Sequence, residues 1–372
     1  MKFSIKQKIL FEHLNYVIRG ISSKNLIPIL NCIKFELTNE GLNLLSTDNE
    51  LAIKSFIPAN NIENIEITGD LLVSGRYIYD IVRKLNNDII NIEEIIDSQV
   101  LITTETSSFK LNCNSVNEFP NIDLDFTDNP IFIDKKVFKT TINQTIFATS
   151  PQESRPILTG INFKINENIM EVTATDSYRL SKKRIQLDKN IDGNIDIIIP
   201  SKNLNEIIKL MNEDDENIEL HIFANKVIFK INNLIVMTRL INGNYPDTNK
   251  LIPDNFDIKI KLNLDNFYNA IDRASLLTNA EEKNIIKLET KKDLMILSSN
   301  IPEIGNVEEK ILIDKIDKDI KISFSSKYMM DALKTFESEE IELCFNGEIK
   351  PIILNYVDNS DLTQLILPIR TY

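Results

Sequence analysis

The feature that most constrains this chain is that it repeats itself. "LLVSGRYIYDIVRKL" (71–85) reads as a strand running into an amphipathic helix. "IIIPSKNLNEIIKLM" (197–211) and "ISFSSKYMMDALKTF" (322–336) read the same way, at offsets of 126 and 125 residues. Three further anchors keep that order. Helical apolar spacing recurs in "FEHLNYVIRGIS" (11–22), "VFKTTINQTIFATS" (137–150) and "NFYNAIDRASLLT" (266–278). The strand-like "LNLLSTD" (42–48) returns as "MEVTATD" (170–176) and, more weakly, as "LMILSSN" (294–300). "EFP" (118–120) returns as "NYP" (244–246). A period this long is the size of a domain, not of a solenoid unit.

Each repeat halves again. In the first, a strand at 1–5 leads to a helix and then to the alternating runs "CIKFEL", "LNLLST" and "AIKSFI". "LLVSG" and its helix open a second unit, followed by "IINIEEI", "QVLITTE" and "FKLNC". Such alternation is that of antiparallel sheet with one buried face, and only two helices per repeat are available to cover it. The pattern predicts an α+β chain of three similar domains, 1–125, 126–252 and 253–372. The cuts fall in polar Asp/Asn/Pro stretches near Asp125 and Pro253.

Composition narrows the function. The chain has 372 residues, 42% hydrophobic and 26% charged, as expected of a soluble globular protein. Its apolar runs are too short to cross a bilayer, so no membrane partner is expected. "MKFSIKQKIL" lacks the apolar stretch and cleavage site of a secretory signal. Cys32, Cys113 and Cys344 have no CxxC spacing and fit buried thiols in a reducing compartment. A cytoplasmic location is therefore expected. His13 and His221 have no metal-like neighbours, and no phosphate-loop, dinucleotide, zincin or nucleophile-elbow motif is present. The acidic run "NEDDEN" (212–217) reads as a solvated loop rather than a cation site. Asp48 and Asp176, at matching places in the repeat, read as carboxylates that close turns. The expectation is no enzyme, no cofactor and no metal.

The net charge is −13, from 42 basic and 55 acidic residues. That argues against binding nucleic acid by bulk attraction. The second helix of each repeat runs against the sign. Residues 76–85 carry +2, with Arg76, Arg83 and Lys84 against Asp80. Residues 201–211 carry +1, with Lys202 and Lys209 against Glu206. Residues 326–336 carry +1, with Lys327 and Lys334 against Asp331. In each helix two basic residues stand seven apart and share a face. One such face is ordinary for a solvated helix. Its recurrence points to an anionic partner facing these helices.

"ATDSYRL" (174–180), "ESRPILTGINF" (153–163), "NYP" (244–246), "LIPIL" (26–30) and the terminal "LILPIR" (365–370), together with the repeat, resemble the bacterial DNA polymerase III beta subunit family, the sliding clamps, along the whole chain. The resemblance implies a head-to-tail homodimeric ring of six clamp domains, with helices inside around double-stranded DNA and antiparallel sheets outside. It implies DNA-facing roles for Lys24, Arg76, Arg83, Lys84, Gln152, Lys202 and Lys209. It places Phe109 and Leu111, on an edge strand of the first domain, against Leu276 and Leu277 of the partner's third domain. It also implies a peptide pocket between the second and third domains, made by Leu158, Thr175, Ser177, Tyr178, Arg179, Leu180, Pro246, Leu251, Tyr328, Ile366, Leu367, Pro368, Ile369 and Arg370. Leu158, Leu180, Leu251, Ile366 and Leu367 would form an apolar floor, with Leu180 and Leu251 doubling as core. The partners so implied are the polymerase III catalytic subunit, the clamp loader, and other polymerases and repair proteins carrying linear motifs. Departures from the family pattern are Ser177 for a frequent glycine, Glu282 for a basic or aromatic residue, Lys24 for arginine, and Thr371 and Tyr372 beyond Arg370. The competing readings are a DNA-free interaction scaffold of the same fold, which the basic helices disfavour, and an enzyme whose site is not legible.

Overall fold

The computed structural model describes residues 1–22, 27–86, 88–95, 98–211, 217–278, 284–314, 318–359 and 361–370. Lys24, Glu282, Thr371, Tyr372 and residues 212–216 of the acidic run lie outside them. Among the described residues each repeat supplies two helices: α1 (Gln7–Val17) and α2 (Gly75–Lys84), α3 (Lys135–Ile146) and α4 (Ser201–Lys209), α5 (Leu264–Ser275) and α6 (Ser326–Leu333). The first repeat holds strands β1 (Lys2–Lys6), β2 (Cys32–Leu37), β3 (Gly41–Thr47), β4 (Leu51–Pro58), β5 (Asn64–Ile67), β6 (Gly69–Ser74), β7 (Ile89–Ile95), β8 (Gln99–Thr103) and β9 (Ser108–Asn114). The second holds β10 (Ile131–Asp134), β11 (Gly160–Thr175), β12 (Arg179–Pro200), β13 (Asn217–Ile222), β14 (Lys226–Ile231) and β15 (Leu234–Arg239). The third holds β16 (Ile258–Asn263), β17 (Ile285–Lys291), β18 (Leu294–Ile301), β19 (Gly305–Leu312), β20 (Lys321–Ser325), β21 (Glu340–Phe345), β22 (Ile352–Tyr356) and β23 (Leu362–Ile366).

Packing divides the chain into two compact units, Met1–Lys135 with Asn203–Leu240, and Lys136–Lys202 with Ile241–Tyr372. The first contains one antiparallel sheet in the order β10-β13-β14-β15-β4-β3-β2-β6-β9-β8-β7-β1-β5. The second contains a six-stranded sheet, β11-β12-β23-β22-β21-β16, and a four-stranded sheet, β19-β18-β17-β20. In both units a strand of one repeat pairs with the last strand of the next. Leu51–Ser55 of β4 run against Leu234–Thr238 of β15, and Arg179–Lys183 of β12 against Leu362–Ile366 of β23.

The helices form where apolar side chains line one face. Leu10, Leu14 and Val17 of α1 are fully buried, and burial stabilises by roughly 1.5–3 kcal/mol per large aliphatic side chain. The helix starts at Gln7 rather than Phe11, because Leu10 extends this stripe by one turn. The Gln7 amide also donates to the Val82 carbonyl of α2 at 2.7 Å. Ile18, expected in the helix, falls in a short 3-10 turn, and Ile21 lies beyond it.

One turn is built twice with the same bonds. In Thr47–Leu51 the Thr47 hydroxyl donates to the Leu51 carbonyl at 2.9 Å, and the Asp48 carboxylate accepts from the backbone of Glu50 and Leu51. In Thr175–Arg179 the Thr175 hydroxyl donates to the Arg179 carbonyl at 2.6 Å, and Asp176 accepts from Tyr178 and Arg179. The central residues, Asn49 and Ser177, have φ of 76° and 78°. That left-handed conformation suits glycine, and asparagine tolerates it better than serine does. The two aspartates are turn-closing carboxylates, as their place in the repeat implies.

Candidate functional site

The second unit brings most of the sequence-derived pocket residues together around the second of these turns. Leu367 donates its backbone N–H to the Tyr178 carbonyl at 2.9 Å, and Ile369 donates to Ser323 at 2.7 Å, so the C-terminal segment is laced to the turn and to β20. Tyr245, beside Pro246, is buried, and its hydroxyl accepts from the Thr175 N–H at 3.0 Å. Burial pushes that phenol well above the usual range. The Tyr178 and Tyr328 rings stack at 6.5 Å between centroids. Burial, and then the nearby Asp176 carboxylate, raise the pKa of Tyr328.

Arg179 ties this wall together. Its guanidinium donates to Asp176 at 3.2 Å and to Asp331 of α6 at 2.7 Å. It lies over the ring of Tyr328 at 4.5 Å and that of Phe147 at 5.2 Å. With 10% of its side chain exposed, Arg179 is a buried, doubly paired charge that positions the aromatic rim. Arg370, by contrast, is exposed, with no ion-pair partner among the described residues.

The apolar floor divides in two. Leu180 is buried in a cluster with Cys344, Ile353 and Leu365, Ile366 is buried in the main core of this unit, and Leu158 packs with Ile198 and Tyr245. As the structure stands these three are core. Tyr178 (55% exposed), Leu251 (47%) and Leu367 (38%) form the accessible apolar surface. Leu251 is therefore not the core residue its sequence suggested. Thr175 is buried, Ser177 and Pro246 are exposed, and Pro368 and Ile369 are half-buried.

Arg76, Arg83, Lys84, Gln152, Lys202 and Lys209 are exposed. Two of these charges are shared: Arg83 pairs with Asp80 at 2.8 Å, and Lys209 with Glu206 at 2.8 Å. Glu206 also accepts from Arg19 at 2.8 Å. Burial disfavours its carboxylate, but the two cations outweigh that and hold its pKa below the usual range. Lys136 and Lys139 stand exposed on α3, a basic helix that counting only the second helix of each repeat misses. In the third repeat α6 ends at Leu333, so Lys334 caps the helix rather than extending it.

The expected edge strand needs correction. β9 lies between β8 and β6, because Cys113 and Asn114 pair with Val73 and Leu72. Only its stretch Ser108–Asn112, holding Phe109 and Leu111, pairs with β8 alone. Phe109 is 38% exposed, Leu111 and Leu277 are half-buried and Leu276 is 78% exposed. β19 is a true edge with Leu312 82% exposed, and its alternation escaped the sequence reading. Among the described residues no cluster of His, Cys, Asp and Glu could hold a metal ion, and no helix is long and apolar enough to cross a membrane.

Three family models match in succession: the DNA polymerase III beta subunit N-terminal domain over residues 1–123, its central domain over 132–247, and its C-terminal domain over 249–370. The chain belongs to the DNA polymerase III beta subunit family. It is 40% identical over 377 residues to the beta sliding clamps of Staphylococcus epidermidis (strain ATCC 12228 / FDA PCI 1200) and Staphylococcus aureus (strain N315), covering all of both chains in each case. The crystal structure of the DNA polymerase sliding clamp from Bacillus subtilis is similar over the full length of both chains, at 37% identity and a TM-score of 0.96. That of the DNA polymerase beta subunit from Streptococcus pyogenes is similar at 33% identity and 0.95, again over both whole chains. Three clamp domains with antiparallel sheets and few helices are thus the architecture of this beta subunit. Membership makes its function that of a sliding clamp, neither an enzyme nor a DNA-free scaffold.

Proposed function

We propose that this beta subunit family member works in the cytoplasm as a ring of two copies closed head to tail around duplex DNA. The domains would run 1–125, 126–252 and 253–372. Retention by encirclement needs little affinity, so a few exposed cations among ordered water suffice, and phosphate contacts carry no sequence information. What supports this reading above all is the recurrence of exposed basic side chains on α2 and α4, Arg76, Arg83, Lys84, Lys202 and Lys209, in a chain of net charge −13. Closure into a ring requires a heterologous contact at the right angle. Phe109 and Leu111 on the open stretch of β9, with Leu276 and Leu277 after α5, suit that contact.

The surface around Tyr178, Leu251, Tyr328, Leu367 and Arg370 is our candidate for docking linear motifs of the replicative polymerase, the clamp loader, and other polymerases and repair proteins. An exposed apolar rim beside an exposed arginine favours an apolar anchor next to an acidic group. The experiment is retention on nicked circular DNA, followed by linearisation. A sliding ring stays on the circle and runs off the linear form. Equal loss from both would reject encirclement.

A further inference from the structure

The twice-built turn has a neighbourhood that is not built twice. In the second unit Lys182 lies on β12 between Thr173 of β11 and Thr363 of β23. It is 4% exposed, and its amino group is held by Glu171 at 2.8 Å and by Asn249, three residues after Pro246, at 2.7 Å. In the first unit the same register position on β4 is Lys54, between Leu45 of β3 and Ile235 of β15. Asn43 stands where Glu171 stands, two residues before the β-neighbour. Asp123, three residues after Pro120 as Asn249 is after Pro246, is turned away. Both its carboxylate and its backbone carbonyl lie 2.7 Å from the amino group of Lys226.

Lys54 is therefore left with no ion-pair partner among the described residues. It lines a cavity of about 540 Å³ whose apolar walls include Leu45, Phe119, Ile122, Phe126 and Ile235. Lys34, also on the wall, is already paired with Glu36. Two carboxylates also line it: Glu36, which is committed to Lys34, and Asp125, which makes no ion pair with Lys54. A cleft of this size with one unpaired, half-buried ammonium beside apolar side chains has the composition of a ligand site. A carboxylate would give Lys54 what Glu171 and Asn249 give Lys182.

We propose that this cleft is a second docking site, and that its occupant is a short peptide segment carrying a carboxylate beside an aliphatic or aromatic side chain. The proposal extends the docking reading of the second unit to its internal counterpart. The carboxylate meets Lys54, and the apolar side chain packs on Leu45, Phe119 and Ile235. Glu50 stands where Tyr178 stands, Leu51 where Arg179 stands, and Asn203 where Tyr328 stands. The first-unit site therefore lacks the stacked tyrosine pair and the arginine that holds it, and should be the weaker of the two.

The test is calorimetric titration of the full chain with the peptide acetyl-Ala-Asp-Leu-Phe-amide. The wild type should bind two peptides per chain. Lys54→Met, which keeps the aliphatic stem, should weaken one of them about tenfold, the usual effect of losing a charge-assisted hydrogen bond. Replacing the peptide's Asp by Asn should do the same. Tyr178→Ala with Leu367→Ala should remove the other. One peptide per chain, insensitive to Lys54→Met and abolished by the Tyr178 and Leu367 changes, would overturn the second site and leave the first. The converse pattern would support the cleft and overturn the docking reading of the second unit. Absence of binding would reject both.

Discussion

Arg179 and Asp331 meet at 2.7 Å, one at the start of β12 and the other on α6, and the same guanidinium also reaches Asp176. This arginine commits its hydrogen bonds to the protein, so its role at the docking surface is to hold Tyr178 and Tyr328 in place. Arg179→Ala leaves Asp176, 8% exposed, without its cation. The expected outcome is a loss of about 3 kcal/mol in urea unfolding, the usual cost of breaking a buried pair, together with weaker peptide binding. Arg179→Lys keeps the charge but not the fork and should fall between. Unchanged unfolding in Arg179→Ala would refute the structural role.

Ile366 and Leu367 are neighbours with different fates. Ile366 is 1% exposed in the core, so Ile366→Ala should destabilise the chain by about 2–5 kcal/mol. Leu367→Ala should leave the unfolding midpoint close to wild type and weaken peptide binding. Titration of a polymerase-derived peptide into both variants separates the two effects. Equal stability losses would contradict the burial of one and exposure of the other.

Leu276, at 78% exposure, is the most accessible of the four side chains offered for the contact between copies. Light scattering should give twice the 42.7 kDa chain mass for the wild type and one chain mass for Leu276→Asp with Phe109→Asp. Peptide binding should survive in the monomer. A dimer that persists would move the contact elsewhere.

Arg83→Glu with Lys209→Glu reverses two exposed charges and also strands Asp80 and Glu206 beside new acids. DNA retention should drop, and the dependence of binding on salt should become shallower by roughly 0.9 for each phosphate no longer neutralised. Binding curves at several salt concentrations measure the slope. An unchanged slope would mean that these helices do not face DNA.

His13 Nδ1 lies 2.6 Å from the Ser55 hydroxyl, and burial pushes its pKa down, outweighing the nearby Glu12 carboxylate, which acts the other way. The unfolded chain takes up a proton near the ordinary value of 6.5, whereas the folded chain resists it. Stability is thus full above that pH and falls as pH drops below it, until the folded form titrates too. Urea midpoints from about pH 7.5 to about pH 5 should show this decline, and His13→Asn should flatten it.

Much of the architecture was legible because alternation and helical spacing report burial directly. The strand Cys32–Leu37 and helix α2 are where the pattern puts them, to within a residue. β5 was missed because its four residues are largely exposed and alternate nothing. Leu180 and Leu251 show the limit at the docking surface. Both are leucines beside the repeated motifs, yet one is 1% exposed and the other 47%, a difference set by tertiary packing. Arg179 shows another limit, since its partner on α6 lies 152 residues away. The cleft at Lys54 was illegible for a related reason. Asn43 in place of Glu171 removes one cap for that lysine, and the orientation of Asp123, which the sequence does not report, removes the other.

The pairing of β4 with β15 has a consequence for how the molecule is made. As a nascent chain leaves the ribosome, β4 emerges with one ladder edge unfilled. It must wait until residues 234–239 follow before that edge is closed. β12 waits in the same way for 362–366. An edge held open is a template for the wrong neighbour. The period between these two moments is when this protein is most exposed to misassembly, and when a holdase has most to protect.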